Sequence, residues 1–487
     1  MIEPLFLGGE VECIERESGG AKVKELTEAC LLQLLREGRA LQSEMSDLPL
    51  EERLQVLSWL GEVWRERSLT GELSAAKEEL RTSTGYPAKL IDLEFSLVPR
   101  VLSAEGIERN LACSLVGGPR ALQSFVPMGE GEGLRHVPAG PSFIISSGNS
   151  VIPTLIPASI SLVTGNFTLL KPSLSNYRAV VEVFSGLREV MSKSPAAHLM
   201  ARALCISYFG HDSPGLRAAL TSAPFGVVNF WGGEPARGLV ASQVAQNPAR
   251  PRLFVNGPLT GVAIIAQGRD GEDVARGLAL NMVLYEQQLC SSPTLGLYIG
   301  SMEAALRFAS LVRNHLESIG PGYEVEWSDD AFFVTNSARR VMALKGSKVL
   351  SSSSAQNPWT LVVSRSTSSL EAAVASFPSF TVHGRRRFLE MVVVEDVEGA
   401  VELVKAVPGM EAYRGIDKVQ TVGLSLPDKE REEALWALAS SGVYRIVPIQ
   451  DMFMRSAAEP YDGVALASLF TYAVHERQRP LPSGDVL

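Results

Sequence analysis

Cys290 stands in the stretch Tyr285-Glu286-Gln287-Gln288-Leu289-Cys290-Ser291-Ser292-Pro293-Thr294, among polar and mostly uncharged residues. A thiolate is a nucleophile toward a carbonyl carbon, and backbone N–H dipoles close to the sulfur favour the ionised form. The apolar spacing of Val274, Leu278 and Val283 predicts a helix over Glu272 to Leu284, and Leu295 to Ile299 reads as a buried strand. The cysteine therefore falls at a helix-to-strand junction, where a side chain reaches a cleft while its backbone stays fixed. A small buried apolar role suits the same residue, and the stretch alone does not separate the two.

The elements that would position this chemistry begin well before it. Residues 1 to about 20 are short and Gly-punctuated, and Lys22 to about Arg81 reads as helical, with Leu57, Leu60 and Val63 in one apolar stripe. A further helical region runs from Ala88 to about Asn110, where Pro99 is expected to kink or divide it. The Gly-rich passage Phe125 to Gly140, which includes Gly129 to Gly133, reads as a hairpin-like turn before Leu134-Arg135-His136-Val137-Pro138 and does not match GxGxxG. From there strands and helices alternate. Ser142–Ser146, Phe167–Lys171, Ile206–Phe209 and Gly226–Trp231 read as strands with helices between them, and Gly165-Asn166 reads as a left-handed C-cap. Such repetition implies a parallel, doubly wound α/β sheet that binds ligands at the carboxyl ends of its strands. A second α/β domain follows Gly257, and a helical portion is expected around Tyr461-Asp462-Gly463. The expected boundaries are 1–257 for N-terminal helices plus a dinucleotide-binding domain and 258–430 for a catalytic domain carrying the cysteine. Residues 431–487 are expected to return to the cofactor domain or to form an oligomer interface.

Composition narrows the class. At 487 residues the chain exceeds one ordinary core. A net charge of −9 argues against a general nucleic-acid binder. Five scattered cysteines without a CxxC pair fit a reducing cytoplasm and neither a disulfide framework nor a metal site. The Met1-Ile2-Glu3-Pro4 start has no basic region followed by an apolar core, so no secretory signal is expected. Val137 to Leu170 carries no charge, yet Pro138, Pro141, Pro153 and Pro157 make a strand, turn, helix and strand the better reading than a membrane span. The Arg385-Arg386-Arg387 run reads as a solvated turn, and His136 as a satisfied structural histidine.

An ordered set of short motifs resembles the aldehyde dehydrogenase superfamily, and within it the acyl-CoA reductase (fatty-acid reductase) family of the LuxC type. The residues that carry the resemblance are His136-Val137-Pro138, Gly148-Asn149, Gly165-Asn166 and Leu170-Lys171-Pro172-Ser173. Phe230-Trp231-Gly232-Gly233, Gln288-Leu289-Cys290-Ser291-Ser292-Pro293, Arg445 and Asp462-Gly463 continue it, over most of the chain from about Leu48. The resemblance implies an aldehyde dehydrogenase-like α/β fold of two doubly wound parallel-sheet domains with a helical N-terminal region. It implies Cys290 as the nucleophile that becomes acylated and Asn149 as the oxyanion-stabilising amide, a role a neutral N–H donor suits. A turn-former ahead of a helix is the alternative for Asn149. Lys171 would touch the adenosine ribose or its phosphate, with Ser173 nearby, unless it is a snorkelling strand-end lysine. Gly232-Gly233 would meet the pyrophosphate at a helix N-terminus. Where NAD-preferring members carry a ribose-binding glutamate, this chain has Leu174, so NADPH is the expected cofactor and NADH its alternative.

Three departures stand out. Val255 replaces the general-base glutamate of hydrolytic relatives, so a cysteine thioester would hydrolyse slowly. The Glu-Ile-Phe-Gly-Pro motif is absent, and Glu390, near in sequence, fits its spacing poorly; Tyr461 stands where a histidine is expected. The implied reaction is NADPH-dependent reduction of an acyl-CoA or other acyl thioester to the aldehyde through an acyl-cysteine. An NAD(P)-dependent aldehyde dehydrogenase working oxidatively, and a non-catalytic scaffold of the same fold, are the alternatives. The resemblance also implies an acyl-protein synthetase partner, and a homo-oligomer is expected.

Overall fold

The computed structural model describes residues 1–129 and 131–478. The chain divides into two compact units. The first comprises Met1–Thr84, Asp92–Asn256 and the residues from Ser456 onward; the second comprises Gly85–Ile91 and Gly257–Arg455.

The first unit is built on a six-stranded sheet in the spatial order Leu5–Phe6, Leu204–Ile206, Thr168–Lys171, Ser142–Ile145, Val227–Trp231 and Arg252–Asn256. All neighbours are parallel except the first pair. Ser142–Ile145, Thr168–Lys171 and Leu204–Ile206 are added in one direction, and Val227–Trp231 and Arg252–Asn256 in the other. The switch in direction therefore falls between Ser142–Ile145 and Val227–Trp231, and a doubly wound sheet opens its ligand crevice at such a point. Asn149 follows the first of these strands and Gly232 follows the second. The charge-free stretch from Val137 to Leu170 is buried in this unit as strand, helix and strand. No described helix is long and apolar enough to cross a membrane.

Local chemistry explains several element ends. The helix expected from Lys22 begins only at Glu28, because Ala21–Leu26 pairs with Cys13–Ser18 as a hairpin and Thr27 caps Glu28–Asp47 by accepting from the Cys30 N–H. Gly19 and Gly20, both at positive φ, make the two-residue turn. Pro99 lies in the last turn of Ala88–Val101, and a new helix opens at Ala104 behind the Ser103 cap. Gly165, at φ 90°, ends the helix Ile152–Val163 as expected. The helical portion expected around Tyr461 is instead a tight turn. Asp462 and Gly463 have φ of 48° and 79°, and Tyr461 and Val464 exchange backbone hydrogen bonds across them.

The second unit has seven strands in the order Lys348–Ser351, Thr360–Ser364, Phe388–Val394, Pro293–Ile299, Leu259–Ala266, Lys418–Ser425 and Arg445–Pro448. Only Lys348–Ser351 runs antiparallel to its neighbour. Val262, Ile264, Leu295, Leu297, Val362 and Val422 fill its core between sheet and helices. Both units thus follow the α/β architecture expected from the alternation of apolar strands and helices.

Candidate active site

In the first unit two strand-exit turns interlock. Ser147-Gly148-Asn149-Ser150 follows Ser142–Ile145, and Pro172-Ser173-Leu174-Ser175-Asn176 follows Thr168–Lys171. Ser175 Oγ donates to the Gly148 carbonyl at 2.8 Å, and Asn176 Nδ2 donates to the carbonyls of Ser147 at 3.0 Å and Ser150 at 2.8 Å. A methyl group at Gly148 would stand 2.3 Å from Ser175 Oγ and 2.7 Å from Ser173 Oγ, so only glycine permits this approach. Asn149 Oδ1 accepts from Ser147 Oγ at 2.8 Å. Its Nδ2 makes no hydrogen bond among the described residues and so retains its donors.

Lys171 is buried at the end of its strand, with Nζ 4.8 Å from the centre of the Tyr208 ring. It forms no ion pair with a carboxylate among the described residues. Burial lowers its pKa to about 8, opposed by the more distant charge of Glu25. A snorkelling lysine would place its amine in water, so that alternative fails here. Ser173 and Leu174 continue the same turn. A buried amine without a carboxylate partner among the described residues is a donor that fits an anionic group, and Leu174 adds no opposing charge.

Gly232 donates its N–H to the Asn256 carbonyl at 3.1 Å, and the Gly233 carbonyl accepts from Arg237 N at 3.0 Å. The helix Ala236–Ala245 follows, and its N-terminus already carries a carboxylate. Glu234 accepts from Arg237 Nε at 2.7 Å and from the Gly238 N–H at 3.1 Å, and these contacts lower its pKa. Beneath this turn runs a polar chain that sequence inspection missed. Trp231 Nε1 donates to Asn229 (2.6 Å), Asn229 to Asn256 (2.8 Å), and Asn256 to Asp462 (2.9 Å). The Asn256 and Asp462 positions sit beside motifs visible in the sequence, but their pairing spans 206 residues and leaves no local signal.

Cys290 belongs to the second unit and is partly exposed, which removes the wholly buried apolar role. Its segment lies ahead of the amino end of the strand Pro293–Ile299, not beyond a carboxyl end. Tyr285, Glu286 and Gln287 occupy the left-handed region in succession, at φ 52°, 53° and 62°. For residues with a Cβ this costs roughly 1–2 kcal/mol each, so surrounding contacts must hold the shape. Gln287 Nε2 donates to the Pro293 and Phe388 carbonyls at 2.6 and 2.8 Å, and its Oε1 accepts from Phe388 N at 2.7 Å. Gln288 Nε2 donates to the Arg385 carbonyl at 2.9 Å. Leu289 and Ser292 close the loop through two hydrogen bonds, and Ser292 O accepts from Gly261 N at 3.0 Å.

Buried Glu286 pairs with Arg387, its Oε1 receiving Nε at 2.8 Å and Nη2 at 2.5 Å, while Trp327 Nε1 donates to Oε2 at 3.2 Å. The solvated turn expected at Arg385–Arg387 is therefore a correction: Arg386 is exposed, whereas Arg387 is 0% exposed and Arg385 lies over the Tyr413 ring at 4.9 Å. Glu390 is also buried. It accepts from Ser364 and Ser369, and desolvation raises its pKa to about 7, so it points into the core of its own unit. His136 is buried, with Nδ1 3.2 Å from Thr471 Oγ1, but its Nε2 is buried without a hydrogen-bond partner among the described residues, so the ring is only half satisfied. No group of metal-ligating side chains occurs among the described residues.

Solved structures place this architecture among the aldehyde dehydrogenases. A methylmalonate-semialdehyde dehydrogenase from Oceanimonas doudoroffii matches with a TM-score of 0.70 and 15% identity, covering 99% of both chains. A putative enzyme of that name from Sinorhizobium meliloti, complexed with NAD, matches at 0.65 and 14%, again over 99% of each. The fold is thus aldehyde dehydrogenase-like. More narrowly, residues 45–472 match the profile of the family "Acyl-CoA reductase (LuxC)", and the chain belongs to that family. A long-chain acyl-protein thioester reductase of Vibrio harveyi is 20% identical over 99% of this chain and 95% of its own. The corresponding protein of Photorhabdus luminescens is 22% identical over 91% and 86%. That of Aliivibrio fischeri is 23% identical over 52% of this chain and 51% of its own length.

Proposed function

We propose that the protein reduces a fatty acyl thioester, with acyl-CoA as a donor, to the aldehyde through an acyl-Cys290 intermediate, using NADPH. The observation that carries this reading is a partly exposed Cys290 on a segment pinned by buried Gln287 and Glu286, within a chain of the acyl-CoA reductase family. Sγ attacks the thioester carbonyl, the C–S bond to CoA breaks, and the CoA thiolate leaves. Asn149 Nδ2, with its Oδ1 held by Ser147, is the donor assigned to the oxyanion.

The cofactor, when bound, supplies the hydride that reduces the acyl-cysteine to a thiohemiacetal, whose collapse restores the thiol and releases aldehyde. Lys171 and Ser173 would hold its adenosine end, and Gly232-Gly233 would approach its pyrophosphate as a turn, since Glu234 already occupies the helix N-terminus. Leu174 in place of a carboxylate removes repulsion toward a 2′-phosphate, which favours NADPH over NADH. Val255 supports reduction over hydrolysis, because no carboxylate stands there to activate water. A cytoplasmic homo-oligomer that receives its acyl group from an acyl-protein synthetase is part of the same proposal.

The test is acylation by tritium-labelled hexadecanoyl-CoA. Wild type is expected to retain label through denaturation and to release it as aldehyde on addition of NADPH. Cys290→Ala is expected to retain none. Stable label on that variant would place the nucleophile elsewhere.

A further inference from the structure

The helix Ile152–Val163 starts three residues after Asn149, and its cap residue, Val151, offers no side-chain acceptor. The first N–H groups of a helix have no intrahelical partners, and Asn or Ser immediately ahead of the helix is the usual local solution. Asn149 and Ser150 both have the right chemistry and stand in the right place. Were Asn149 the cap, its Oδ1 would turn inward onto the helix and its amide would be spent on local structure.

Ser150 takes one share of the cap, its Oγ accepting from the Ile152 N–H at 3.2 Å, and the rest comes from a distant segment. Glu94, on the helix Ala88–Val101, is 2% exposed. Its Oε1 accepts from Ser150 Oγ at 2.6 Å, from the Val151 N–H in a short hydrogen bond, and from the Ile152 N–H at 3.1 Å. A carboxylate is the favoured group at a helix N-terminus, and here it also fixes the residue next to Asn149. Asn176 holds the other side of the same turn through the Ser147 and Ser150 carbonyls. With the helix capped and the backbone fixed, Asn149 Oδ1 goes to Ser147 and Nδ2 keeps its donors.

We propose that Glu94 is a positioning residue for the oxyanion donor: by capping the helix from a distant segment and holding Ser150 against the same N–H, it releases the Asn149 side chain from local capping and sets the direction of its amide. The inference rests on the oxyanion role proposed for Asn149. Glu94 is assigned no contact with a reacting atom and acts on Asn149 through the turn.

Single-turnover acylation by tritium-labelled hexadecanoyl-CoA tests it, in the full chain with Glu94→Ala, Glu94→Gln, Asn149→Ala and the Glu94→Ala/Asn149→Ala double variant. Asn149→Ala is expected to slow acylation about 10²–10³-fold. Glu94→Ala is expected to slow it about 10-fold or more, because small misplacements of a reacting group are costly. The KM for NADPH should not move. Glu94→Gln keeps an oxygen acceptor and should recover most of the rate. In the Asn149→Ala background, Glu94→Ala should slow acylation no further. A purely structural role predicts equal slowing in both backgrounds, and that result would overturn the inference. Wild-type acylation by Asn149→Ala would instead overturn the oxyanion role itself. If Glu94→Ala does not fold, Glu94→Asp takes its place: it keeps the charge, draws the acceptor back by one methylene, and should show the same dependence on Asn149.

Discussion

The Asn149 turn and the Cys290 segment solve the same problem in opposite ways. Asn149 lies just beyond the carboxyl end of a parallel strand, at the switch point of its sheet, where a doubly wound sheet opens its ligand crevice. Its turn needs a cap and two amide hydrogen bonds, and no residue from 147 to 150 takes a left-handed conformation. Cys290 lies ahead of the amino end of a strand, where a parallel sheet offers no such crevice. Three consecutive left-handed residues bring the chain there, and buried Gln287, Glu286 and Arg387 hold them. One side chain exploits a feature that the sheet supplies, and the other depends on a shape that its neighbours must impose. The second arrangement should be the more fragile.

The largest effect should therefore come from the Glu286–Arg387 pair. Both partners are buried, so removing one leaves the other charge uncompensated, at a cost of roughly 3–5 kcal/mol. Glu286→Ala should lower the denaturation midpoint strongly and reduce Cys290 labelling together with it. Urea titrations with acyl labelling at each point would show this. If Glu286→Ala lost little stability while Glu94→Ala lost much, the contrast between the two regions would be reversed.

This contrast also explains what the sequence made legible. A glycine and an asparagine between an apolar strand and a helix announce the Asn149 turn by local pattern, and the same holds for Lys171-Pro172 and Gly232-Gly233. Cys290 was visible by its residue type, and its helix and strand by their periodicity. The groups that hold these positions were not visible. Glu94 acts 57 residues away on the Val151 N–H, and Glu286 meets Arg387 across 101 residues. A charged residue in a polar run has no local mark that distinguishes a buried partner from a solvated one, and so Arg385–Arg387 read as surface. The Tyr461-Asp462-Gly463 turn was misread for a related reason: its left-handed Asp462 is also tied by a hydrogen bond from Asn256, in a distant part of the chain.

A smaller, pH-dependent effect should distinguish the regions again. Glu390 lies two residues beyond Phe388, the strand residue that grips Gln287, and its folded pKa is raised from 4.5 to about 7 by burial. Ser364, Ser369 and the charge of Arg385 oppose that rise, and Glu371 adds to it. A carboxyl with a raised folded pKa favours the folded state fully below pH 4.5, and that contribution is lost as pH rises through about 7. The total is roughly 3 kcal/mol. Glu390→Gln remains neutral throughout, so its stability relative to wild type should improve from pH 5 to pH 8 and level off above that. Thermal melts at both pH values measure the difference. A constant gap would mean that Glu390 does not titrate in this window.

The smallest effect should come from Ser147→Ala. Its hydroxyl holds Asn149 Oδ1 at 2.8 Å and makes no other side-chain hydrogen bond among the described residues, so the backbone of the turn, fixed by Glu94 and Asn176, should persist. One partly buried neutral hydrogen bond is worth about 1 kcal/mol. The amide would gain rotational freedom without leaving its place. Acylation should slow by about 5-fold, the melting temperature should fall by no more than about 2–4 °C, and the KM for NADPH should not move. That outcome would show that the turn backbone and the amide orientation are set by separate contacts, which the Cys290 segment does not allow, since Gln287 makes its grip with one side chain on two strands at once. A large loss of stability in Ser147→Ala would show instead that the Asn149 turn is as interdependent as the Cys290 segment.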